Sequence, residues 1–315
     1  LKTIQYLLDQ GAIVIVVEHM GRPEGVDRSL SLEPVARWYK SNFQFSIFNF
    51  QSIGNFEGWK LSDNFFVLEN LRFYPGEEAS DPELAKRLAD IADMYVNDAF
   101  GVSHRNHCSI VGIARLLPHY CGFCLEKEIR ELSKVRDNPQ KPLVVIVGGA
   151  KIETKLPLIE KMHHVADYVL VGGELAQETT TLLTVQHETA EGDRGILQIA
   201  DLIEDGTDIT QASVDGFLQT INLAKTVVWN GPLGEIQNSK FKIQNSNAKV
   251  KSSTEKIAEG IVASGAYSVV GGGDTVEALQ SAELIDKFSF VSTGGGAMLA
   301  FLSGEKLPGL EALTI

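Results

Sequence analysis

The sequence has no long apolar run: no window approaches the roughly 18 consecutive apolar residues that a transmembrane helix needs, which excludes such a helix. It has only three cysteines, an odd number that does not fit a secreted disulfide framework and favours a reducing cytoplasm. Positive charge is scarce as well, since 28 Lys and Arg face 41 Asp and Glu for a net charge of −13. An acidic surface repels phosphodiester backbones, which counts against general nucleic-acid binding. Phosphate handling by this chain requires local clusters of cations.

Two common nucleotide-binding motifs are also absent. There is no Gly-x-x-x-x-Gly-Lys-[Ser/Thr] run, which excludes a P-loop NTPase, and no Gly-x-Gly-x-x-Gly fingerprint, which counts against a dinucleotide site. The chain has 315 residues, of which 44% are hydrophobic and 22% charged, and a mean hydropathy of zero. This is the composition of a globular, soluble protein with about two domains.

Short β-rich apolar runs alternate with helical patterns along the whole chain. Several runs are continuous in Val, Ile and Leu, which is typical of parallel strands covered on both faces. The predicted strands are 12–18, 65–69, 94–97, 143–147, 168–171, 226–230, 268–270 and 288–292, and the predicted helices include 31–39, 82–92, 126–135 and 254–263. Two prolines within residues 136–142 end the third of these helices. The pattern predicts an α/β fold of two doubly wound parallel-sheet (Rossmann-like) lobes joined by a hinge helix.

The predicted strands of the second lobe end in glycine runs. Ligands of open α/β sheets bind at the carboxyl ends of the strands, where glycine lets an anion approach the main chain and the next helix offers free N–H groups. Simple strand–helix packing is the alternative explanation for each run alone. The four runs are Gly148-Gly149, Gly172-Gly173, Gly271-Gly272-Gly273 and Gly294-Gly295-Gly296. Four in one lobe favour a phosphate-binding site.

Charged residues follow two of these glycine runs. Lys151 and Lys155 lie four apart at the start of a predicted helix, a cationic pair at the end of the helix dipole that favours anions. Asp274 places negative charge where a phosphate is expected. A bridging Mg²⁺ resolves that conflict, because Mg²⁺ favours one or two carboxylates together with phosphate oxygens. Helix capping by Asp274 or Thr275 is the compatible alternative.

The predicted strands of the first lobe are followed by cations instead of glycine runs. They deliver His19 and Arg22, then Arg72, then a group made of His104, Arg105 and His107. Three strands that each bring an arginine to one sheet edge make a site for a small anionic metabolite. A nucleotide lobe and an anion lobe together suit phosphoryl transfer, in which positioning and positive charge supply most of the catalysis.

Seven segments resemble phosphoglycerate kinase in the same order: 11–23, 69–78, 95–107, 148–155, 228–234, 271–275 and 292–297. The resemblance runs from residue 1 to about residue 310 and includes Val-Asn-Asp-Ala-Phe-Gly, Trp-Asn-Gly-Pro and Ser-Thr-Gly-Gly-Gly-Ala. It implies reversible phosphoryl transfer between 1,3-bisphosphoglycerate and ADP, giving 3-phosphoglycerate and ATP, with Mg²⁺ accompanying the nucleotide.

The resemblance also implies the site residues. Phosphoglycerate would lie on His19, Met20, Gly21, Arg22, Arg72 and Arg105. The nucleotide would lie on Lys155, Gly272, Gly273, Asp274 and Thr275, with Asp274 toward Mg²⁺. Lys151 and Lys155 would be catalytic, and the helix N-terminus at Gly294, Gly295 and Gly296 would face the transferring phosphate.

For the whole chain, the resemblance implies a phosphoglycerate-binding lobe at 1–122, an interdomain helix at 123–137, a nucleotide-binding lobe at 138–300 and a C-terminal segment at 301–315 that returns to the first lobe. The lobes would close about the hinge. The protein is expected to be a cytoplasmic monomer that acts on small molecules and binds neither nucleic acid nor membrane.

The sequence departs from the family pattern in three places. It begins after the strand and loop that open the family, so the first lobe is expected to be incomplete at its start. Gln237 stands in register with the Glu that contacts the ribose in the family, after Glu235 and beside a duplicated Ile-Gln-Asn-Ser. Residues 179–217 are shorter than the family's corresponding stretch.

These departures leave open the alternative of an impaired remnant that binds adenine nucleotide only. The doubly wound fold alone leaves a further alternative, a nicotinamide-dependent dehydrogenase. Cys121 and Cys124 form a Cys-x-x-Cys spacing that looks like a redox motif but lacks the preceding strand of a thioredoxin-like context. A zinc site formed by His107, His119, Cys121 and Cys124 is the other interpretation. The spacing is not that of a zinc finger, so packing is the favoured interpretation.

Overall fold

The computed structural model describes residues 1–149, 152–173, 175–176, 195–234 and 251–313. The chain divides into two compact units, one made of Leu1–Lys127 with Lys306–Ile315 and the other of Glu128–Glu305. The division falls inside the helix Phe123–Asp137. Of the residues that the structure describes, no helix is both long enough and apolar enough to cross a bilayer.

The first unit contains a four-stranded sheet and a separate parallel pair. The sheet is formed by β1 (Val14–Val16), β2 (Asn49–Ile53), β3 (Phe56–Ser62) and β4 (Phe65–Leu68), in the spatial order β1-β4-β3-β2. Strands β1 and β4 are parallel, whereas β3 is antiparallel to both of its neighbours. The pair is β5 (Tyr95–Asn97) with β6 (His119–Cys121).

The antiparallel hairpin of β2 and β3 is a feature that the sequence analysis does not predict. Ile53 pairs with Phe56, so Gly54 and Asn55 form a two-residue turn, and Gly54 has a φ of +59°. Such turns need positive φ, which glycine adopts without strain. The hairpin adds an antiparallel edge to a sheet whose β1–β4 pairing is parallel.

The side chains of strand β4 pack into buried clusters on both faces of this sheet. Phe65 and Val67 belong to one buried cluster and Leu68 to another, because successive side chains of a strand point to opposite faces. The first cluster includes Ala36 and Tyr39 of the helix Glu33–Phe43. The helices of the unit are Lys2–Asp9, Glu33–Phe43, Gly76–Ala79, Pro82–Ala89 and Pro308–Glu311. The sequence predicts the second and fourth of these, although the second begins and ends later than predicted.

The second unit is built on a six-stranded parallel sheet. Its strands are β7 (Leu143–Val147), β8 (Tyr168–Val171), β9 (Ile196–Ile199), β10 (Thr226–Asn230), β11 (Tyr267–Gly271) and β12 (Phe290–Val291), in the order β12-β11-β10-β7-β8-β9. Every residue of β7 and of β10 is buried. Continuous burial explains why both strands read as unbroken β-rich runs, and why β7, β8 and β10 have the bounds that the sequence predicts.

The strand order reverses in the middle of this sheet. The chain passes from β7 outward through β8 and β9, then returns to place β10 on the other side of β7. Ligands of such sheets bind at the carboxyl ends of the strands where this reversal occurs. The helices Ile152–His163, Gln211–Ile221, Ser253–Ser264, Gly273–Ser281 and Gly295–Leu302 accompany the strands. The predicted fold class, α/β with parallel sheets in two lobes, is confirmed.

Candidate active site

The carboxyl ends of β7 and β10 lie against each other in the second unit. The N–H of Gly148 donates to the carbonyl oxygen of Asn230 (2.9 Å), and the N–H of Gly149 donates to that of Pro232 (2.8 Å). A Cβ on Gly231 would lie only 2.0 Å from the carbonyl oxygen of Gly148, and Gly231 has a φ of +94°. Only glycine therefore fits at Gly231, and the two main chains are in contact where the sheet reverses.

The ammonium group of Lys155 lies at these same strand ends. Its Nζ donates to the carbonyl oxygen of Gly148. A Cβ built on Gly149 would meet that Nζ at 2.9 Å, and one built on Gly231 at 2.7 Å. The side chain thus extends from the helix Ile152–His163 back toward the glycines, as the sequence predicts for a helical residue in the first turn. Lys151 lies outside the described residues.

The glycine runs after β11 and β12 meet the end of β10 through Asn230. Its Nδ2 donates to the carbonyl oxygen of Gly271 (3.0 Å), and a Cβ on Gly295 would lie 2.5 Å from that Nδ2. Thr275 Oγ1 accepts a hydrogen bond from the N–H of Gly231 (2.9 Å). The structure therefore brings Lys155, Gly272, Thr275 and Gly295 together around the Asn230–Gly231 turn.

Two features at this site go beyond the predicted residue set. The sequence analysis includes Asn230 and Gly231 only within a motif that resembles the family's, although a polar residue at the end of a buried strand and the glycine after it are a local signal. The hydroxyl of Thr275 is already engaged by Gly231, so its part in the fold is to hold the β10 turn. Gly273 and Asp274 begin the helix Gly273–Ser281, and Gly294 is the N-cap of the helix Gly295–Leu302.

Asp274 has the chemistry of a magnesium ligand. Its carboxylate lies in the first turn of the helix Gly273–Ser281 and is exposed. Mg²⁺ typically takes one or two protein carboxylates and completes its shell with phosphate oxygens and water. One accessible carboxylate beside the glycine turns fits that pattern.

In the first unit, the buried amide of Asn70 joins the loops that carry the predicted anion-binding residues. Asn70 Oδ1 accepts from the N–H groups of Met20 (3.2 Å) and Arg72 (3.1 Å), while Nδ2 donates to the carbonyl oxygens of Met20 and Leu30 (2.8 Å each). Arg72 Nη1 also donates to the carbonyl oxygen of Gly21. These bonds hold the loop after β1 against the turn after β4.

Three guanidinium groups interact in this part of the first unit. Burial lowers the pKa of Arg105, and repulsion by Arg72 and Arg22 lowers it further. Arg105 Nε is buried and has no hydrogen-bond partner among the residues that the structure describes. Arg72 Nε lies 2.7 Å from Glu78 Oε1, which offsets part of the charge. The concentrated positive charge and the unused donor suit an anionic ligand with several oxygens.

Two histidines lie beside the arginines. Burial lowers the pKa of His19 to about 4, with a further contribution from Arg72, and burial also lowers the pKa of His107. Both imidazoles are therefore neutral at pH 7. Ligand atoms of His19, His107 and the buried Glu77 lie within 4.8 Å of one another, a grouping that a metal ion could use. The neighbouring Arg72 and Arg105 oppose a cation here.

The described residues support neither a zinc site nor redox chemistry at the cysteines. Among the described residues, the grouping of possible metal ligands is His19, Glu77 and His107. The zinc site considered from the sequence would instead need His107, His119, Cys121 and Cys124 to lie together. Burial, with help from Asp98 and Glu126, raises the pKa of Cys121 to about 11. A thiol of that pKa is a poor nucleophile at neutral pH, which argues against redox chemistry at Cys121.

Comparison with known proteins identifies the chain's relatives. The family model described as "Phosphoglycerate kinase" matches residues 1–191 and 178–305. The phosphoglycerate kinase of Dictyoglomus turgidum is 35% identical and that of Thermosipho africanus 37% identical, each over 99% of this chain and 88% of the relative.

Solved structures agree with these matches. The phosphoglycerate kinase from Coxiella burnetii superposes with a TM-score of 0.75 at 30% identity, covering 99% of this chain and 89% of that one. The enzyme from Pyrococcus horikoshii OT3 gives a TM-score of 0.77 at 28% identity, covering 100% and 89%. The sequence matches and the structural matches both span the two units, so the chain belongs to the phosphoglycerate kinase family.

Proposed function

We propose that this chain catalyses the reversible transfer of a phosphoryl group between 1,3-bisphosphoglycerate and ADP, which yields 3-phosphoglycerate and ATP in glycolysis. The observation that carries the proposal is the family match over residues 1–191 and 178–305, which includes both compact units. The first unit then corresponds to the phosphoglycerate-binding lobe, and the second to the nucleotide-binding lobe. We further propose a cytoplasmic monomer, in keeping with three free cysteines.

In the first unit, the anionic groups of phosphoglycerate would bind Arg22, Arg72 and Arg105. Guanidinium groups bind phosphate and carboxylate through two parallel N–H···O bonds, and the unpartnered Nε of Arg105 is available for one. His19, with the main chain at Met20 and Gly21, would complete the contacts. The buried Asn70 amide supports this assignment, because it fixes the Met20 loop and the Arg72 turn in one arrangement.

In the second unit, the nucleotide phosphates would bind Lys155 and the main chain at Gly272 and Gly273. The support is the position of Lys155 Nζ among Gly148, Gly149 and Gly231 at the strand ends. Asp274 would hold Mg²⁺ together with phosphate oxygens, and Thr275 would keep the β10 turn in place. Lys151 and the helix N-terminus at Gly294, Gly295 and Gly296 would contact the transferring phosphoryl group.

The proposed phosphoryl transfer needs no general acid or base from the protein. The carboxylate of 3-phosphoglycerate is already ionised at neutral pH, so the attack on ATP needs no general base. Mg²⁺ held by Asp274 would supply neutralisation of the phosphate charge. The chain's own residues would supply the rest: arginines orient the acceptor, and Lys155 and the helix N-termini stabilise the negative charge of the transition state.

A coupled assay tests the proposal directly. The chain is mixed with 3-phosphoglycerate and MgATP, and 1,3-bisphosphoglycerate is consumed by glyceraldehyde-3-phosphate dehydrogenase with loss of NADH absorbance. We expect turnover above background, and a loss of about a hundredfold or more in kcat/KM on Arg22→Ala, because that variant removes one of three guanidiniums from the anion. Binding of ADP without any turnover of 3-phosphoglycerate would instead support the impaired remnant.

A further inference from the structure

A buried carboxyl group lies among the cationic residues of the first unit and takes no part in the proposed function. Glu77 is fully buried. Its Oε2 accepts a hydrogen bond from the N–H of Ser109 (3.0 Å), and its Oε1 accepts one from the Ser109 hydroxyl (2.5 Å). Both carboxyl oxygens therefore act as acceptors for Ser109, an arrangement that favours the ionised form against the upward shift of the pKa of Glu77 that burial causes. A buried carboxylate without a fully formed ion pair is costly, so the fold retains Glu77 at a price in stability.

The Oε1 of Glu77 lies between two imidazole rings. His19 Nε2 is 3.7 Å away and His107 Nδ1 is 3.8 Å away. The two rings also contact each other edge to face, with centroids 5.5 Å apart. Both distances exceed that of a charge-assisted hydrogen bond by roughly an ångström. His107 Nδ1 is buried and has no hydrogen-bond partner in the part of the chain that the structure describes.

Charged groups from several elements surround this trio. Arg72 and Arg105 oppose protonation of both histidines, and Glu78 favours protonation of His107. Burial raises the pKa of Glu77, whereas the Ser109 hydrogen bonds and Arg72 act in the other direction. The remaining titratable neighbours are His104 beside His107, and Tyr95 and Cys108, whose pKa values are raised by burial and by Glu77. Burial, the largest cause, and the guanidiniums together thus lower the pKa values of both imidazoles and keep them uncharged.

We propose that Glu77 is a positioning residue for anion binding: its carboxylate orients His19 and His107 and becomes their ion-pair partner when a bound anion offsets the charge of Arg72 and Arg105. Each imidazole then takes a proton from solvent, at His19 Nε2 or His107 Nδ1, and closes onto Glu77 Oε1. The identity of the anion as phosphoglycerate rests on the proposed function. The proton uptake requires only an anion on the arginines.

Glu77→Gln tests the proposal, since glutamine keeps the shape and one acceptor for Ser109 but cannot form an ion pair. Two quantities are measured. The first is KM for 3-phosphoglycerate and for MgATP in the coupled assay. The second is the pKa of each histidine from imidazole NMR shifts, with and without saturating inorganic phosphate. Glu83→Gln is the matched control, because Glu83 is an exposed residue of the same unit and the charge change is identical.

We expect the KM for 3-phosphoglycerate to rise about tenfold in Glu77→Gln, the scale of one charge-assisted hydrogen bond, with the KM for MgATP unchanged. Phosphate should raise the pKa of His19 and His107 by about one unit or more in the wild type, and by clearly less in the variant. Wild-type kinetics in Glu77→Gln, or histidines that titrate alike with and without phosphate in the wild type, would overturn the proposal.

The NMR titration of the histidines still gives a result in two situations in which the kinetic measurement cannot. If Glu77→Gln does not fold, the phosphate-dependent titration of the wild type still decides whether the histidines gain protons. If the wild type shows no turnover, the proposed function fails, yet phosphate binding can still raise the pKa values of His19 and His107. The two failures are therefore distinguishable.

Discussion

Thr275 Oγ1 accepts a hydrogen bond from the main-chain N–H of Gly231 at 2.9 Å, and both residues are buried. This bond joins the first turn of the helix Gly273–Ser281 to the turn after β10. The same helix carries Asp274, and a Cβ built on Gly231 in the same turn would meet Lys155 Nζ at 2.7 Å. One hydroxyl therefore fixes the spacing between the two elements that would bind the nucleotide phosphates.

Replacing that hydroxyl by a methyl group should weaken both the fold and nucleotide binding. In Thr275→Val the shape is kept, but the buried N–H of Gly231 loses its acceptor, which costs about 1–3 kcal/mol in the free energy of unfolding. We expect urea denaturation to show this loss, and calorimetry to show weaker binding of MgADP. Thr275→Ser retains the hydroxyl and serves as the control. Equal stability of the valine and serine variants would contradict the assigned role of the bond.

The guanidinium of Arg72 should not be replaceable by an ammonium group. It donates to the carbonyl oxygen of Gly21 and pairs with Glu78, and it belongs to the group of arginines that we propose binds the anion. Lysine keeps the charge but lacks the planar set of N–H donors of a guanidinium group. Arg72→Lys should therefore raise the KM for 3-phosphoglycerate by about ten- to a hundredfold. The KM for MgATP should stay the same in the coupled assay.

Arg37→Lys provides the matched comparison for Arg72. Arg37 pairs with Glu33 on the exposed surface of the same unit, and such pairs contribute little. We expect wild-type kinetics from it. A parallel rise in both KM values for Arg72→Lys would show that the substitution disturbs the protein as a whole, against a role in anion binding.

The neutral, partly buried His19 should make the protein less stable in mild acid. Burial, with Arg72 as the next cause, lowers the pKa of His19 to about 4 in the folded state, whereas an unfolded histidine titrates near 6.5. Between these values the unfolded chain binds a proton that the folded chain does not, so the free energy of unfolding falls as pH falls from about 6.5 to 4. At pH 7 the effect is absent.

The size of this effect can be isolated with a variant that cannot titrate at this position. The titration of His19 should lower the free energy of unfolding by about 2 kcal/mol between pH 7 and pH 4.5, with partial solvent screening taken into account. Urea denaturation of His19→Gln at both pH values should show a pH dependence reduced by that amount. His164→Gln changes an exposed histidine and should leave the wild-type dependence intact. An unchanged pH dependence in His19→Gln would mean that His19 titrates normally in the folded protein.

The parallel sheet of the second unit could be predicted because its strands are buried on both faces. Strand β7 is a continuous apolar run followed by Gly148, and β10 is a β-rich run that ends at Asn230, so local composition alone indicates where both strands end. The β2–β3 hairpin was missed for the opposite reason. Most of β2 is exposed, its residues are mainly polar, and the short turn at Gly54 is the main local signal.

The arginines and glycine runs of the candidate site could also be predicted from the sequence. The buried polar residues beside the arginines, Glu77 and Asn70, could not. Glu77 lies in a Gly-Glu-Glu-Ala segment that looks like an exposed helix, yet its hydrogen-bond partner Ser109 is 32 residues away. Asn70 joins Met20 across 50 residues. Whether a polar side chain is buried depends on such distant packing, and no local spacing records it.

The contact between Gly231 and Gly148 gives the sharpest prediction for the second unit. In Gly231→Ala, the new Cβ would meet the carbonyl oxygen of Gly148 at 2.0 Å in a backbone with a φ of +94°, so both the contact and the conformation are unfavourable. We expect a loss of about 3 kcal/mol or more in the free energy of unfolding, together with weaker MgADP binding, because the strand ends must separate. Gly216→Ala is the matched control: Gly216 lies inside the helix Gln211–Ile221, and a Cβ there meets nothing within 4 Å. That variant should be stabilised by about 0.5–1 kcal/mol, because alanine favours helix more than glycine does. Urea denaturation of both variants should therefore give changes of opposite sign, and a Gly231→Ala protein as stable as the wild type would contradict the close approach of the two strand ends.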